Sequence, residues 1–466
     1  MKSSNGSSLT RSVWRTSLWA FGVAIALAGT AMAQVDNTWT QYHQGPGFAG
    51  QSASGPDLRD YPTARFVVGA GLGAGFMGAS VSSPVVMNNQ VYCYDAEGGL
   101  FAFSEIDGAA LWSAVVAEAS FGSWSSPSAD VASHSVYMGS GEYVYRFDAD
   151  TGQAVWSQPY HLTTTSTHGE TYATVVNAAP TILPGLGTSG EGLVLQHTYG
   201  SFGGGTSLHA INVADGSKAW SLDLTGQGQG EVAYNPTDGL VYTTIGTEGG
   251  WAEGRGGIAA INPANGQIVW TSQGSFEPLS FGGIAYDAAN NRVIAGGYDF
   301  YSYAGMLVVN GTTGATVSYT GDDMALSGDY RPTVGANGLI YTAGAEFQDG
   351  PFIAAYDAAT GLEVWRSEQG WGGWNQSLAY ALDIGDGTDV VYACDQYGTK
   401  LGMFDADTGL LLAEIACGGV PTLANGNLYL IADGQLMAFG PNVVPEPATM
   451  SLVGLGMLWC LRRRRR

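Results

Sequence analysis

Basic residues are scarce in this chain. Its 466 residues include 17 Lys and Arg against 40 Asp and Glu, which gives a formal net charge of −23. Lys2, Arg11, Arg15 and Arg462–Arg466 lie near the two ends, so the segment between them is more acidic still. A surface of this sign argues against nucleic acid and anionic membranes as partners.

Several catalytic and helical patterns are missing as well. The sequence contains no HExxH, no nucleophile elbow and no phosphate loop, and His161 and His168 are isolated in a Thr-rich stretch rather than paired at metal spacing. It has no long amphipathic helical stretch, whereas glycine is abundant at 70 residues. The composition therefore predicts an all-β fold dominated by turns.

Cysteine is limited to four residues, of which Cys460 lies in the C-terminal tail. Cys93, Cys394 and Cys417 remain, so at most one disulfide forms within the folded domain. Cys394 with Cys417 is one candidate pairing, and buried free thiols are the alternative.

A ten-residue phrase, FDADTGQAVW at 147–156, recurs along the chain with glycine always in sixth place. The intervals between these glycines run from 44 to 64 residues, a period typical of propellers and other repeat arrays. The seven glycines are Gly108, Gly152, Gly216, Gly266, Gly314, Gly361 and Gly409.

Each phrase predicts a β-hairpin that turns at its glycine, and two shorter apolar runs precede it, so each repeat contains four strands. A four-stranded sheet must pack against its neighbours, which favours a β-propeller. We expect eight blades, with seven as the alternative, and ring closure by the N-terminal segment from Arg65. The phrases commonly end on tryptophans that we expect to dock one blade on the next: Trp112, Trp156, Trp220, Trp270 and Trp365.

The phrases VYMGS, VYRFDADTGQAVW and SSP resemble the PQQ-like repeat of quinoprotein-type propellers, and NTWTQYHQGPGFAG resembles the usual opening of that superfamily. The resemblance covers Trp39–Pro441, nearly all of a predicted domain at 34–441. It implies the propeller fold but not one activity, because such propellers serve as dehydrogenases, scaffolds and binding modules.

The two ends indicate export. Residues 1–33 combine basic residues, an apolar run and Ala31-Met32-Ala33, which predicts a secretory signal peptide followed by Gln34 rather than a lipid-anchor cysteine. Residues 442–466 resemble the PEP-CTERM sorting signal, which implies a short transmembrane helix, recognition by a membrane exosortase, and delivery to the cell surface or exopolysaccharide matrix of a Gram-negative-type bacterium. An ordinary C-terminal anchor is the alternative. The sorting residues are Pro445, Glu446, Pro447, Arg462, Arg463, Arg464, Arg465 and Arg466.

Ligands of propellers usually bind at the mouth of the central channel, where these repeats differ most. The candidate positions are Ser82, Ser83, Ser125, Ser126, Asn177, Glu231, Gly282, Gly283, Asp329, Arg331, Asn375, Gln376, Cys417 and Gly418. For a quinone with Ca²⁺, the resemblance implies oxygen ligands, a cation, a base and an aromatic floor, for which Asn177, Glu231, Asp329, Arg331 and Trp374 are the candidates. The adjacent cysteine pair and the Cys-x-x-Cys-His motif of alcohol-oxidising relatives are absent.

Two further patterns have a structural and a functional interpretation. The DxDxG at Asp148 and again at Asp405 is interpreted as turn chemistry rather than a calcium loop, because no Glu completes such a loop. Surplus aromatics suit either stacking on sugar rings or packing between blades; they are Tyr298, Phe300, Tyr301, Tyr303, Trp371 and Trp374.

These observations predict an exported, exosortase-sorted surface or matrix protein that acts as a non-catalytic binding or scaffolding propeller, with no cofactor and with polysaccharides or surface proteins as partners. A PQQ- and Ca²⁺-dependent oxidoreductase acting on an alcohol or a sugar is the first alternative. An outer-membrane assembly scaffold is the second.

Overall fold

The computed structural model describes residues 39–442 apart from 42–43, 46, 48, 74–81, 120–124, 166–170, 174, 177, 200–205, 225–229, 249–254, 273–282, 297–304, 321–330, 347–349 and 373–376. Within these residues the elements are strands, with no α-helix. Two short strands, β1 (Gln51–Ser52) and β2 (Phe66–Val68), precede eight sheets that follow one another along the chain. The predicted eight-bladed, all-β propeller is confirmed.

The first four blades each build outward from the channel in chain order. Blade one comprises β3 (Val85–Met87), β4 (Gln90–Asp95), β5 (Gly99–Ser104) and β6 (Ala110–Val115). Blade two comprises β7 (Ser128–Asp130), β8 (Ser135–Ser140), β9 (Tyr143–Asp148) and β10 (Tyr160–His161). After β11 (Thr163–Thr165), β12 (Thr171–Ala173) and β13 (Val175–Val176), blade three comprises β14 (Thr181–Pro184), β15 (Gly192–Tyr199), β16 (Thr206–Asn212) and β17 (Lys218–Leu224). Blade four comprises β18 (Ala233–Asn235), β19 (Leu240–Glu248), β20 (Arg255–Asn262) and β21 (Gln267–Thr271).

The remaining blades repeat this order, except that the last one borrows its outer strand. Blade five comprises β22 (Ile284–Asp287), β23 (Arg292–Gly296), β24 (Met306–Asn310) and β25 (Thr316–Tyr319). Blade six comprises β26 (Thr333–Val334), β27 (Leu339–Glu346), β28 (Gly350–Asp357) and β29 (Glu363–Arg366). Blade seven comprises β30 (Ala379–Ala381), β31 (Val390–Cys394), β32 (Leu401–Asp405) and β33 (Leu411–Ile415). Blade eight comprises β34 (Thr422–Ala424), β35 (Asn427–Ala432), β36 (Gln435–Phe439) and β2.

The recurrent glycine and tryptophan join neighbouring blades. Each hairpin glycine has positive φ, for example 67° at Gly152, and a Cβ there would collide with the Trp112 ring of the preceding blade. The indole Nε1 of Trp112 also donates to the Ala149 carbonyl, three residues before that glycine, at 2.8 Å. The same bond joins Trp156 to Val213, Trp220 to Pro263 and Trp365 to Ala406, at 2.7–2.9 Å. The predicted docking role of these tryptophans agrees with this geometry.

Two interfaces between consecutive blades use a variant of this contact. Trp270 lies against Gly314, but the Gly311 carbonyl in the usual acceptor position is bonded by the hydroxyl of Tyr242, at 2.9 Å. In blade five, Ser318 occupies the place of tryptophan, and its Oγ donates to the Ala358 carbonyl at 2.9 Å. The carbonyl three residues before the turn glycine is therefore the constant part of the interface, and the donor varies.

Blade two departs from the predicted hairpin. The expected strand ending at Trp156 is reduced to an isolated bridge between Phe147 and Ala154, and β10 provides the outer strand instead. Pro159 lies immediately before β10 and has no N–H to donate, so it cannot continue a ladder. The Thr-rich stretch that follows forms a hairpin, β11 with β12, and β13 then pairs with β15 of blade three.

The ring closes where β2 pairs antiparallel with β36, with Phe66 opposite Ala438. A Cβ on Gly108 of blade one would meet the Phe66 ring, so Phe66 takes the tryptophan's place. The guanidinium of Arg65 donates to the Glu105 carbonyl at 3.0 Å, the position that receives the indole N–H elsewhere. We call this contact between blades eight and one the closing interface. The predicted closure from Arg65 onward is confirmed.

The N-terminal segment also lines the inside of the ring, which the sequence did not predict. Described residues within 39–52, here called the collar, bond to the innermost strands of successive blades. The pairs are Trp39 with Val86, Thr40 with Ala129, Gln41 with Ile182, Gly47 with Tyr286, Ala49 with Val334 and Gly50 with Tyr380. β1 then continues as a parallel partner of β30. The collar therefore occupies backbone groups along the inner edges of six blades.

Candidate functional site

Two of the predicted channel-mouth residues form a buried ion pair. Glu231 precedes β18 of blade four and Arg331 precedes β26 of blade six, and both side chains are buried. The guanidinium of Arg331 contacts the Glu231 carboxylate. Glu231 Oε1 also accepts a bond from the backbone N–H of Ala179, before β14 of blade three, at 2.9 Å. One carboxylate thus joins the lead-in segments of three blades.

The serines that precede the innermost strands of blades one and two form hydrogen bonds to protein groups, some of them in neighbouring blades. Ser83, Ser125 and Ser126 are buried. Ser126 Oγ accepts the backbone N–H of Ser83 at 2.9 Å, and Ser83 Oγ lies 3.1 Å from Thr422 Oγ1 of blade eight. Ser125 Oγ donates to the Gly139 carbonyl at 2.8 Å. These hydroxyls are engaged by protein groups and do not form a ligand-binding surface.

A second set of hydroxyls follows the lead-in prolines, and sequence reasoning missed it. Ser128 Oγ donates to the Pro180 carbonyl of the next blade at 2.6 Å. Thr333 and Thr422 make the equivalent bond to the carbonyls of Leu378 and Pro84, at 3.0 and 2.7 Å. A Ser or Thr directly after the proline of SSPS, RPT and VPT is the signal that could have found it.

The middle strands of the blades differ in length around the ring. In an antiparallel blade, the turn between the two middle strands lies on the face where the chain enters the blade. The middle strands β15, β19 and β27 of blades three, four and six have eight or nine residues, whereas β4, β8, β31 and β35 have five or six. Glu231 and Arg331 precede blades four and six, which have long middle strands, whereas β23 of blade five between them has five residues.

Trp371 packs within blade seven, which agrees with one of the two interpretations of the surplus aromatics. Its side chain is 4% exposed and meets Phe404 edge-on, with ring centroids 5.0 Å apart. Lys400 Nζ covers the ring at 3.8 Å from its centroid. A Cβ at Gly402 would lie 2.9 Å from the indole, so the missing side chain makes room for Trp371 in blade seven. Packing accounts for the position of this aromatic.

Other candidates at the channel mouth lie outside the described residues. They are Asn177, Gly282, Tyr298, Phe300, Tyr301, Tyr303, Asp329, Trp374, Asn375 and Gln376, and the sorting residues from Pro445 to Arg466 lie outside as well. Of the five candidates for a quinone site, only Glu231 and Arg331 are described.

The DxDxG aspartates are engaged in their own turns. Asp148 Oδ1 accepts bonds from the backbone N–H and the hydroxyl of Thr151, at 2.9 and 2.8 Å. The hydroxyl bond from Thr151 is the main reason that the pKa of Asp148 is lowered. Asp405 and Thr408 repeat the arrangement. This geometry agrees with the turn interpretation.

The three described cysteines are free thiols, so the structure does not contain the Cys394–Cys417 bridge. Cys93 and Cys394 are buried and Cys417 is partly buried. Burial raises the pKa of Cys417 to about 11, which keeps its thiol protonated and weakly nucleophilic.

The two described candidates for a quinone site with Ca²⁺, Glu231 and Arg331, are engaged with each other. Such a site needs a carboxylate free to ligate the metal and a cation free to face the quinone. Here the Glu231 carboxylate and the Arg331 guanidinium bind each other, and the second carboxylate oxygen bonds to Ala179. Binding the cofactor would require breaking this buried pair, which is costly when it leaves a charge unpartnered. Elsewhere in the described chain, no group of three or more His, Cys, Asp or Glu residues could hold a metal ion.

Several solved structures share the fold at low sequence identity. A quinohemoprotein alcohol dehydrogenase from Pseudomonas putida superposes with a TM-score of 0.61 at 14% identity, covering 88% of this chain and 82% of that one. A europium-containing methanol dehydrogenase gives 0.62 at 12% identity, covering 87% and 98%. BamB from Moraxella catarrhalis gives 0.54 at 15% identity, covering 79% and 100%. These likenesses show the fold alone.

Two family models match the sequence, whereas no curated protein does. Residues 443–466 match the PEP-CTERM protein-sorting motif, which implies export and surface sorting in a Gram-negative bacterium. Residues 70–185 and 142–318 match a PQQ-repeat model described as outer membrane protein assembly factor BamB. Because the two matches together span more than half of the chain, the protein belongs to this PQQ-repeat propeller family.

Proposed function

We propose that the protein is a non-catalytic binding or scaffolding propeller that an exosortase delivers to the cell surface or the extracellular matrix. The observation that carries the non-catalytic part is the Glu231–Arg331 pair, because it commits the carboxylate and the cation to each other. The sorting motif at 443–466 supports the destination. Polysaccharides or surface proteins are the partners that fit this location.

The test of the non-catalytic role is thermal unfolding of the exported protein with PQQ, with Ca²⁺, and with both. A ligand at about 100 times its Kd adds about 2.7 kcal/mol to the free energy of unfolding, which is readily measured. We expect no shift with the combination beyond that of each component alone. A shift that requires both together would overturn the proposal in favour of the oxidoreductase and make dye-linked alcohol or sugar oxidation the next assay.

The sorting role has its own test, because the tail lies outside the propeller. Deleting Arg462–Arg466 is expected to leave the unfolding temperature of the folded domain unchanged and to reduce delivery to the surface. The matched control replaces the same five arginines by lysine, which keeps the positive charge. Surface delivery equal to that of the wild type after the deletion would contradict the sorting role.

An outer-membrane assembly scaffold is the second candidate, and the description of the matching family model is the observation that favours it. The two candidates differ in partners: the scaffold predicts co-purification with outer-membrane proteins during their assembly. The binding module predicts retention by surface polysaccharide from the same cells.

The predicted transmembrane helix at 448–461 lies outside the described residues, and none of the described residues forms a helix long and apolar enough to cross a membrane. Transient anchoring through that segment remains part of the proposal. This anchoring can be measured as the protease accessibility of the propeller in spheroplasts, compared between cells with and without the exosortase.

A further inference from the structure

The closing interface places an ionisable side chain where the other interfaces have none. The carbonyl that receives the interblade donor belongs elsewhere to small or apolar residues, and at the closing interface to Glu105. The residues at the equivalent positions are Ala149, Val213, Pro263, Gly311, Ala358 and Ala406. A carboxyl group therefore lies in the closing interface, which brings the two ends of the propeller together.

The Glu105 side chain is fully buried, at 0% exposure. Its Oε1 accepts bonds from Asn425 Nδ2 at 2.7 Å and from the hydroxyl of Tyr429 at 2.9 Å, both in blade eight. Its Oε2 is also buried, and among the described residues it has no hydrogen-bond partner. A carboxylate charge at this position thus lacks the full set of donors that would stabilise it.

The charge of Arg65 acts on this carboxyl group, but its guanidinium nitrogens bond to other groups. Its two terminal nitrogens donate to the backbone carbonyls of Ile106 and Glu105, and one of them lies 3.4 Å from the Tyr429 hydroxyl. Asp107 lies in the adjacent turn and is exposed. The groups that face Glu105 are therefore Arg65 from the N-terminal segment, and Asn425 and Tyr429 from blade eight.

The electrostatic balance at this position favours the neutral acid. Burial raises the pKa of Glu105, and the bonds from Asn425 and Tyr429 together with the charge of Arg65 only partly oppose it. Because the pKa of Glu105 in the folded state lies above its ordinary pKa, the folded state binds the proton more readily than the unfolded state. The resulting stabilisation of the folded state is fully present at pH values below the ordinary pKa of a glutamate. It is lost as the pH rises through the raised pKa of Glu105.

We propose that Glu105 makes the closing interface a proton-operated latch, which holds β2 on the ring when the carboxyl is neutral and loosens β2 when the carboxyl is ionised. The part of the structure that changes is β2 with Arg65. This strand is held by pairing with β36 and by the Arg65 bonds to the Glu105 turn. The six interfaces with an equivalent carbonyl do not have an acid at this position, and we expect them to stay unchanged over the same pH range.

Amide hydrogen exchange on the exported protein tests the latch. Protection factors, which correct for the intrinsic pH dependence of exchange, are measured from pH 5 to 8 for β2 and, as an internal reference, for β28 of blade six. We expect protection of β2 to fall about threefold or more across this range while that of β28 stays constant. Equal behaviour of the two strands would overturn the proposal.

Glu105→Gln is the decisive variant, because the amide keeps the shape of the acid and cannot ionise. Its β2 protection is expected to be independent of pH, with Asp107→Asn as the exposed control that retains the wild-type dependence. Tyr429→Phe gives an independent readout, since it removes a bond that favours ionised Glu105 and should move the loosening to higher pH. Retention of the wild-type pH dependence in Glu105→Gln, or a shift to lower pH in Tyr429→Phe, would contradict the latch.

Discussion

The interface between blades six and seven and the closing interface bury similar groups but are built from different parts of the sequence. In the first, Trp365 from the outer strand of a complete repeat lies against Gly409 and donates to the Ala406 carbonyl. In the second, Phe66 lies against Gly108 while Arg65 takes the role of the indole donor. The same docking geometry can thus be met by one aromatic residue or divided between two neighbouring residues.

The difference also concerns charge. A guanidinium is present in one tryptophan interface as well, where Arg146 donates to the Val213 carbonyl at 2.6 Å beside Trp156. The residue that supplies the acceptor carbonyl is not an acid at any of the tryptophan interfaces, so their stability should be nearly independent of pH. The closing interface includes a guanidinium and a buried carboxyl group, so it combines stronger bonds with a larger desolvation cost. Four substitutions test this contrast, in order of decreasing expected effect.

Trp365→Ala should cause the largest loss. It leaves a cavity between blades six and seven and removes the indole bond to Ala406, which should lower the free energy of unfolding by about 3–5 kcal/mol. Trp365→Phe is the matched control, because it keeps most of the ring and loses the hydrogen bond. Chemical unfolding measures the stability of both variants. An unchanged unfolding midpoint in Trp365→Ala would refute the docking role of this tryptophan.

Gly152→Ala should be almost as harmful, because its Cβ would enter the Trp112 ring and its φ of 67° is unfavourable for alanine. We expect a loss of about 2–4 kcal/mol from overpacking and backbone strain together. Gly338→Ala separates backbone strain from overpacking, since φ is 82° at Gly338 but nothing lies within 4 Å of the added Cβ. Equal losses in the two variants would mean that backbone strain alone explains the loss of stability at the recurrent turn glycine.

Arg65→Met tests the closing interface itself. The substitution keeps the apolar stem and removes the donors to the Glu105 and Ile106 carbonyls, so we expect a loss of about 1.5–3 kcal/mol. Arg59→Met is the control, because Arg59 is an exposed residue whose ion pairs with Asp57 and Asp386 lie on the surface. A loss no larger than that of Arg59→Met would show that the arginine does not replace the indole donor energetically.

Ser318→Ala should have the smallest effect. It removes a single neutral bond to the Ala358 carbonyl between blades five and six, worth about 1 kcal/mol. Ser318→Thr keeps the hydroxyl and should restore most of the stability. If alanine and threonine behave alike in thermal unfolding, the hydroxyl contributes nothing at this interface.

The fold could be predicted because its information is local and repeated. The spacing from turn glycine to tryptophan specifies both a hairpin and the contact with the next blade, and it recurs along the chain. The collar could not be predicted, because its bonds run mostly between backbone groups that leave no trace in residue type. The replacement of tryptophan by Ser318 or Arg65 was missed for a related reason: the constant partner is a carbonyl, which every residue has.

The candidate site was only partly predictable. Glu231 and Arg331 were recognised as unusual members of equivalent positions, but their pairing across 100 residues depends on how the blades are arranged in space. Trp371 was left with two interpretations, because an aromatic residue in a loop looks the same in sequence whether it faces solvent or a neighbouring glycine. Only the absence of a side chain at Gly402 distinguishes the two, and that requires the structure.

The closing strand has a consequence for biogenesis. Arg65 and Tyr429 meet although 364 residues separate them, so the ring has contacts of very high sequence separation that cannot form until the last blade has been made. Such contacts slow folding, because a long loop must be ordered before they contribute. The ring can therefore close only after the final strands of the chain have been made.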